Sequence, residues 1–345
     1  MQPLKFLVFA DLHYKQEMYA STVKNMEDIM HRAADAQAEL VLHGGDFCND
    51  YPGSPEIIRP YLQNPYGLAV YGCYGNHELE TAGTAMTFVT PCLTNRDVVW
   101  GTADGSMGDG NIGYYYFDHK GYRFVVVDTN YSLRPDGAWE HNLTGSHCPA
   151  RVNSAWNSLG PDQIGWLERV LNDAADKGLY CILLSHVALN HRKGESPDAA
   201  AVRALLRAVN TKRPQTVFLV INGHHHTDGL SVEDGVVYFD VNAVRNTWWQ
   251  PTDHNQYGQD APTFPFIPYD AEGNPTAPAT ERPLRSLRQG NHTLFTEDPL
   301  SALVTVGADG SVEIEGADSR WVADIGPDAP GPETVPFIRD RKIQA

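Results

Sequence analysis

Short apolar segments with the composition of β-strands recur along this chain, and segments with helical periodicity separate several of them. The strand-like segments are four to seven residues long, rich in Val, Ile, Leu, Phe and Tyr, and bounded by Gly, Asp or Asn. They lie at 5–10, 40–43, 68–74, 122–127, 179–184, 216–221 and 236–241. Amphipathic helices are predicted at 21–38, 161–176 and 197–209. This order predicts a layered α/β architecture in which helices cover a central β core.

Two internal stretches and the tail do not follow the alternation. Residues 129–160 are polar and rich in Gly, Asn and Ser, and residues 245–299 contain many Pro, Asn, Gln and Asp. Both are predicted as irregular loops. A strand hairpin is expected at 300–306 and 311–315. The Pro-rich tail, 326–345, is expected to lie extended on the surface.

The chain is acidic, with 26 Lys and Arg against 43 Asp and Glu and a formal net charge of -17. This charge disfavours an extended nucleic-acid partner, because clustered Lys and Arg are needed to bind a phosphate backbone. No apolar run reaches the roughly 18 to 20 residues of a membrane-spanning helix, so no membrane span is predicted. The length allows a sizeable core, and we predict a single domain over 1–345. The sequence does not indicate an oligomeric state.

The cysteines and the N-terminal segment bear on the compartment. Five cysteines are scattered along the chain without a Cys-x-x-Cys pair. The first apolar segment is too short for a signal peptide, and no cleavage site of small residues follows it. These features predict a cytoplasmic protein. The alternative is a secreted protein from which the signal peptide has been removed.

Side chains that bind metals or carry protons follow the carboxyl ends of five predicted strands. In chain order they are Asp11 and His13, Asp46, Asn76 and His77, His186, and His224 and His226. The carboxyl ends of strands in α/β sheets are where loops converge and sites assemble. Each of these residues taken singly is more commonly a turn or a hydrogen-bonded structural residue. Their joint placement favours a metal site.

The residue types indicate which metals and which reaction would suit such a site. Carboxylate, imidazole and amide ligands without cysteine suit Mn, Fe or Zn. Setting His77 aside, the remaining side chains are more numerous than the four to six donors that one ion needs, which suggests two ions sharing a carboxylate. Two such ions can hold a hydroxide between them and neutralise charge that develops on a phosphoryl group. Phosphoester hydrolysis is the reaction that needs both effects most.

The five blocks together resemble the signature of the calcineurin-like metallophosphoesterases. The blocks are Asp11-x-His13, Gly45-Asp46, Gly75-Asn76-His77-Glu78, His186 and Gly223-His224-x-His226, in the family's order and each after a strand. The resemblance covers about residues 4–242, and the hairpin near 300–316 is similar to the family's closing strands. It implies a four-layer α/β/β/α sandwich.

The resemblance also implies a role for each position. Asp11, His13 and His226 would hold the first metal ion, Asn76, His186 and His224 the second, and Asp46 would bridge them. His77 would donate a hydrogen bond to the phosphate or a proton to the leaving oxygen. Glu78 would either orient a neighbour or cap a helix, and the sequence does not favour one of these.

The function expected from these features is hydrolysis of a small phosphoester by two divalent metal ions. A phosphodiesterase is predicted by analogy with small members of the family. The alternatives are a phosphomonoesterase and a non-catalytic scaffold with the same fold. Arg245, Trp248 and Trp249 are candidate substrate-binding residues, although aromatic residues in such segments more commonly anchor a loop.

Overall fold

The structure of the protein, a computed structural model, describes residues 1–13, 19–47, 60, 65–79, 98–106, 112–134, 136–141, 157–249, 263–266, 278, 280–283, 292–321 and 333–344. Only the backbone is described at 19–21, 65, 79, 246–249, 263–266, 280–283 and 292–294. Among the described residues, the α-helices are α1 (Tyr19–Asp35), α2 (Pro161–Lys177) and α3 (Ala199–Lys212), and short 3-10 turns lie at Pro65–Gly67 and His77–Leu79.

The strands, numbered in chain order, form two large sheets and three two-stranded ribbons. They are β1 (Leu4–Phe9), β2 (Leu40–His43), β3 (Ala69–Gly72), β4 (Val99–Trp100), β5 (Tyr115–His119), β6 (Tyr122–Val126), β7 (Tyr131–Leu133), β8 (Trp139–His141), β9 (Tyr180–Ser185), β10 (Val217–Asn222), β11 (Gly229–Glu233), β12 (Val236–Asp240), β13 (Asn246–Trp249), β14 (Thr263–Phe266), β15 (Thr280–Pro283), β16 (His292–Phe295), β17 (Ala302–Val306), β18 (Val312–Gly316) and β19 (Arg341–Ile343).

The first sheet contains both ends of the chain. Its strand order is β19-β18-β17-β1-β2-β3. The strands β1, β2 and β3 are parallel, with Val8 opposite Leu42 and Leu42 opposite Tyr71. The strands β17, β18 and β19 continue the sheet in antiparallel pairs. The parallel register places the residues that follow β1, β2 and β3 at one edge of the sheet.

The second sheet has the strand order β11-β12-β10-β9-β6-β5-β4. Its centre, β6, β9, β10 and β12, is parallel, and the outer strands pair antiparallel. Every residue of β6, β10 and β12 is buried. Such continuous burial is typical of strands that are covered on both faces.

The core shows how the layers stack. One buried cluster contains Phe6 of β1 and Phe124 of β6, whose rings meet edge to face with centroids 5.8 Å apart, so the two sheets pack against each other. The apolar side of α1, with Met26 and Ile29, belongs to this cluster. A second cluster packs α2 and α3 against the other face of the second sheet, for example Leu171. Two large sheets flanked by helices confirm the predicted sandwich.

Three segments that the sequence predicts as irregular contain short strands. Within 129–160, β7 and β8 form a ribbon and Ser158 exchanges backbone hydrogen bonds with Tyr131, while 142–156 lie outside the described residues. Within 245–299, β13 pairs with β16 and β14 with β15. In the tail, β19 adds an edge strand to the first sheet. These pairings join residues far apart in sequence, so local composition does not indicate them.

The membrane prediction concerns the helices. In the part of the chain that the structure describes, no helix combines the length and apolar character needed to cross a bilayer.

Candidate metal centre

The loops after five strands bring the predicted site residues together where the two sheets meet. Asp11 and His13 follow β1, and Asp46 follows β2. The backbone N–H of Asp11 donates to the Gly45 carbonyl and that of His13 to the Asp46 carbonyl, both at 2.9 Å. From the second sheet, the Gly223 N–H donates to the His186 carbonyl at 2.9 Å. These hydrogen bonds fix each loop relative to the next.

One group of possible metal ligands consists of Asp11, His13 and His226. One ligand atom from each lies within 4.8 Å of the others. Nε2 of His13 is 2.9 Å from Nε2 of His226, and Asp11 Oδ1 is 3.3 Å from His226 Nε2. All three side chains are buried. Such converging donors from buried residues match the ligands that divalent metals prefer.

A second group consists of Asp46, His186 and His224, again with one ligand atom from each within 4.8 Å of the others. Nε2 of His186 is 3.2 Å from Asp46 Oδ2, from His224 Nδ1 and from Asn76 Oδ1. Nδ1 of His186 lies 2.7 Å from the Gly44 carbonyl, to which it donates when protonated. That hydrogen bond leaves Nε2 for the cluster, as in metal-bound histidines whose other nitrogen donates to a carbonyl.

Asp46 lies between the two groups. Its Oδ2 is 3.2 Å from His186 Nε2 and 3.7 Å from His13 Nε2. The same oxygen is 3.9 Å from His77 Nε2. Its other oxygen, Oδ1, accepts the backbone N–H of His77 at 2.8 Å. One carboxylate oxygen is thus within reach of donors from both groups.

Five of these residues have left-handed backbone conformations. Their φ angles are 57° for Asp11, 50° for His13, 54° for Asp46, 69° for His224 and 53° for His226. Asp and His adopt this conformation more readily than most residues, but it still costs about 1–3 kcal/mol at each position. Such strain persists only where the surroundings over-determine the loop, and it is concentrated at functional sites.

Gly45 and Gly75 allow the loops after β2 and β3 to lie close to each other and to His186. Gly45 has a φ of 92°, and a Cβ there would lie 2.5 Å from His186 Nδ1 and 2.8 Å from the Gly75 nitrogen. A Cβ at Gly75 would lie within 2.1 Å of Asp46 Oδ1. Side chains at either position would therefore displace the site residues.

Glu78 connects the loops of the first sheet. Its Oε2 accepts the backbone N–H groups of Asp46 at 2.9 Å and Gly75 at 2.6 Å, and its Oε1 accepts that of Phe47 at 2.5 Å. The side chain is fully buried. Of the two roles considered for Glu78, orientation of neighbouring loops matches these contacts.

The electrostatics of the site favour a positive charge at its centre. Burial acts to raise the pKa of Asp11, but His226 and His13 outweigh it and hold that pKa well below the usual range. Burial acts to lower the pKa of His186, but the Asp46 and Asp11 carboxylates outweigh it and raise the pKa to about 10. Burial and the neighbouring His186 lower the pKa of His224. Two ionised carboxylates in a buried site attract a cation.

His77 lies beside the ligand groups and belongs to one set of atoms that could hold a metal, with His13 and Asp46. Its ring packs edge to face on that of His13, with centroids 4.7 Å apart. Its side chain is 11% exposed, whereas those of His13 and His226 are 3% and 1% exposed. A partly exposed imidazole beside buried ligands can meet a substrate.

The candidate substrate residues lie on the segment that follows β12. The Val244 N–H donates to the Ala10 carbonyl at 3.0 Å, so this segment runs next to the residue that precedes Asp11. Nε of Arg245 donates to the Thr296 carbonyl at 2.8 Å, and burial lowers the pKa of its guanidinium. Trp248 and Trp249 lie in β13, and their side chains lie outside the described part of the chain.

A buried His–Asp pair that was not predicted from the sequence lies at the same edge of the second sheet. Nε2 of His141 lies 2.5 Å from Asp128 Oδ2, with the two side chains 8% and 0% exposed. Oδ1 of Asp128 accepts the backbone and side-chain N–H groups of Asn130, both at 2.9 Å. Asp128 follows β6 just as His186 follows β9. That strand-end position is the signal that would have identified it.

The donor set fits divalent metal ions. It contains two buried carboxylates, histidines with nitrogens turned toward one another, and an amide oxygen at hydrogen-bond distance from one of those nitrogens. Imidazole nitrogens and carboxylate oxygens at such short mutual distances are the arrangement that a shared cation stabilises.

Comparisons with known proteins show the family to which this chain belongs. The sequence pattern described as calcineurin-like phosphoesterase matches residues 4–228. No curated protein matches the sequence. A dimetal phosphatase from Danio rerio has a similar fold, with a TM-score of 0.55 at 16% identity over 92% of this chain and 98% of that one. A calcineurin-like phosphoesterase from Bacillus subtilis aligns over 93% of this chain and 91% of its own at 13% identity, with a TM-score of 0.39. The chain belongs to the calcineurin-like phosphoesterase family and is a metal-dependent phosphoester hydrolase.

Proposed function

We propose that the protein is a dinuclear metal-dependent phosphodiesterase that acts on small phosphoesters. The observation that carries the proposal is the position of Asp46. Its Oδ2 lies 3.2 Å from His186 Nε2 and 3.7 Å from His13 Nε2, so one oxygen faces ligands of both groups. A shared carboxylate is what two adjacent ions require.

Each ion has its own ligands in this proposal, and the remaining donor is shared. Asp11, His13 and His226 would hold the first ion, Asn76, His186 and His224 would hold the second, and Asp46 would serve both. Mn, Fe and Zn all suit this ligand set. When bound, the ions supply positive charge that neutralises the phosphoryl oxygens and lowers the pKa of an attacking water.

His77 acts on the leaving group. Its backbone N–H is fixed on Asp46 Oδ1 at 2.8 Å, and its ring rests against that of His13. A protonated His77 ring nitrogen donates its proton to the leaving oxygen as the bond to phosphorus breaks. Help of this kind typically contributes a factor of about 10² to 10⁴ in rate.

The substrate is a small phosphoester. The net charge of -17 repels long polyanions, whereas the ions offset the charge of a single phosphate. Arg245, Trp248 and Trp249 are proposed to contact the rest of the substrate, because their segment runs beside Ala10. We also propose a cytoplasmic location, where buried free thiols such as Cys73 and Cys181 stay reduced.

Side-by-side hydrolysis of two model esters tests the proposal. The purified protein is assayed with bis-p-nitrophenyl phosphate and p-nitrophenyl phosphate, with and without added Mn. Faster turnover of the diester, dependent on Mn, is the expected result. Faster turnover of the monoester would make the protein a phosphomonoesterase. Two bound ions with neither ester cleaved would favour the scaffold alternative.

A further inference from the structure

The C-terminal segment of the chain, residues 333–344, lies against the loop that carries two of the histidines. This loop, residues 223–228, connects β10 to β11 and contains His224 and His226. The backbone N–H of Asp228 donates to the Glu333 carbonyl at 3.0 Å. The side-chain amide of Asn242, at the end of β12, donates to the Val335 carbonyl at 2.8 Å. The segment therefore lies along the end of the loop and along the residues that follow β12.

Two arginines of this segment converge on one buried carboxylate. The Asp228 side chain is 0% exposed. Arg341 donates from Nη1 to Asp228 Oδ1 at 2.7 Å and from Nη2 to Oδ2 at 2.8 Å, which is a two-point contact. Arg339 donates from Nη1 to Oδ2 at 2.7 Å and from its backbone N–H to the same oxygen at 3.3 Å.

A third arginine joins the segment to the body of the second sheet. Arg192 donates to Asp240 Oδ2 at 2.7 Å, to Glu333 Oε2 at 3.0 Å and to Thr227 Oγ1 at 3.3 Å. Thr227 stands between His226 and Asp228. Thr227 and Asp228, the last two residues of the loop, are thus held by hydrogen bonds to their side chains and to the backbone N–H of Asp228.

The loop requires such support because of its conformation. His224 and His226 both have positive φ angles, 69° and 53°. His224 has a further anchor, since its backbone N–H donates to both Asp11 oxygens at 3.0 and 3.1 Å. After His226, the Thr227 side chain accepts a hydrogen bond from Arg192, and Asp228 joins the loop to the C-terminal segment through its backbone N–H and its carboxylate.

We propose that residues 333–344 are part of the metal-binding machinery, and that Asp228, held by Arg339 and Arg341, is a positioning residue for His226. The proposal rests on the proposed metal centre. It also extends past residue 228, where the match to the family pattern ends. Weakening this contact therefore loosens the ion held by Asp11, His13 and His226 more than the ion held by Asn76, His186 and His224.

The test uses full-length variants and the affinity for Mn. Asp228→Asn removes the carboxylate charge with little change in shape, and Arg341→Met removes the two-point contact. The matched controls are Asp234→Asn and Arg207→Met, which remove an ion pair whose side chains are 49% and 61% exposed and which lies away from the loop. Mn bound per chain is measured by equilibrium dialysis over a range of free Mn, beside thermal unfolding in EDTA.

We expect Asp228→Asn and Arg341→Met to lose about 10- to 100-fold in affinity for one of the two ions, the size typical of residues that orient metal ligands. The second ion and both controls should be little affected, and Arg341→Lys should recover part of the loss. If Asp228→Asn does not fold, the two Arg341 variants carry the test. Wild-type affinity for both ions in the folded variants would overturn the proposal. An equal loss of affinity for the two ions would also overturn it. A wild-type protein that binds no Mn would instead overturn the metal centre itself.

Discussion

The Glu78 carboxylate accepts the backbone N–H of Asp46 at 2.9 Å, and the same oxygen accepts that of Gly75 at 2.6 Å. A fully buried side chain after β3 thus holds the loop after β2 in place. The carboxylate that faces both ligand groups is therefore oriented by a residue that need not touch a metal.

Glu78→Ala is predicted to destabilise the protein and weaken metal binding. The substitution leaves three buried N–H groups without their acceptor, and each such donor costs about 1–3 kcal/mol. Urea unfolding with bound metal measured in parallel checks this. Glu168→Gln is the control, since Glu168 is exposed on α2. Unfolding of Glu78→Ala at the wild-type urea concentration would contradict the role given to Glu78.

Gly45→Ala should disrupt the site far more than an alanine at another glycine with positive φ. Gly45 has a φ of 92° and its Cβ would lie 2.5 Å from His186 Nδ1, whereas Gly235 has a φ of 77° and nothing within 4 Å. Both variants carry the cost of a left-handed alanine, about 1–2 kcal/mol. Loss of Mn binding in Gly45→Ala but not in Gly235→Ala is the expected result. Equal Mn affinity in the two variants would show that the close approach of Gly45 and His186 does not matter for metal binding.

His77→Ala should retain both ions and lose turnover by about a hundredfold or more, because it removes the proton donor without removing a proposed metal ligand. The variant is assayed at saturating Mn with bis-p-nitrophenyl phosphate, and its metal content is measured on the same sample. Unchanged turnover would remove His77 from the mechanism. Loss of an ion would instead assign His77 to the ligands.

Removal of metal by EDTA should lower the melting temperature by several degrees. Ligands that bind only the folded state stabilise it by about 2.7 kcal/mol at a hundred times Kd, and in large domains each kcal/mol shifts Tm by about 2–4 °C. Added Mn should restore the original Tm. Identical melting with and without EDTA would mean that the folded protein does not bind metal appreciably.

Local sequence patterns predicted the elements of the fold well where the pattern of apolar residues matches the pattern of burial. The predicted strand at 40–43 is β2, residue for residue, and the predicted helix at 161–176 is α2 with one residue more. Pro161 at the start of α2 and the left-handed Gly178 after it mark this helix in the sequence. The strand-end positions also brought the predicted ligands to one place.

Other features depend on contacts between distant segments and left no local signal. The pairing of β19 with β18 requires the tail to return to the first sheet. The hydrogen bonds of Glu78 depend on a loop some thirty residues away in sequence. Asp11, in a left-handed conformation, donates its backbone N–H to Gly45, a residue of the loop after the neighbouring strand. Such tertiary constraints override the propensities that a single sequence offers.

Metal content of Asp46→Asn beside the wild-type protein tests the central claim most directly. Each sample is dialysed over the same range of free Mn concentrations, up to saturation of the wild-type protein, and bound Mn is counted by mass spectrometry. We expect about two ions per wild-type chain at saturation, and weaker binding of both ions together in Asp46→Asn. Weakened binding of only one ion in Asp46→Asn would show that Asp46 does not bridge, and no Mn on the wild-type protein would contradict the metal centre.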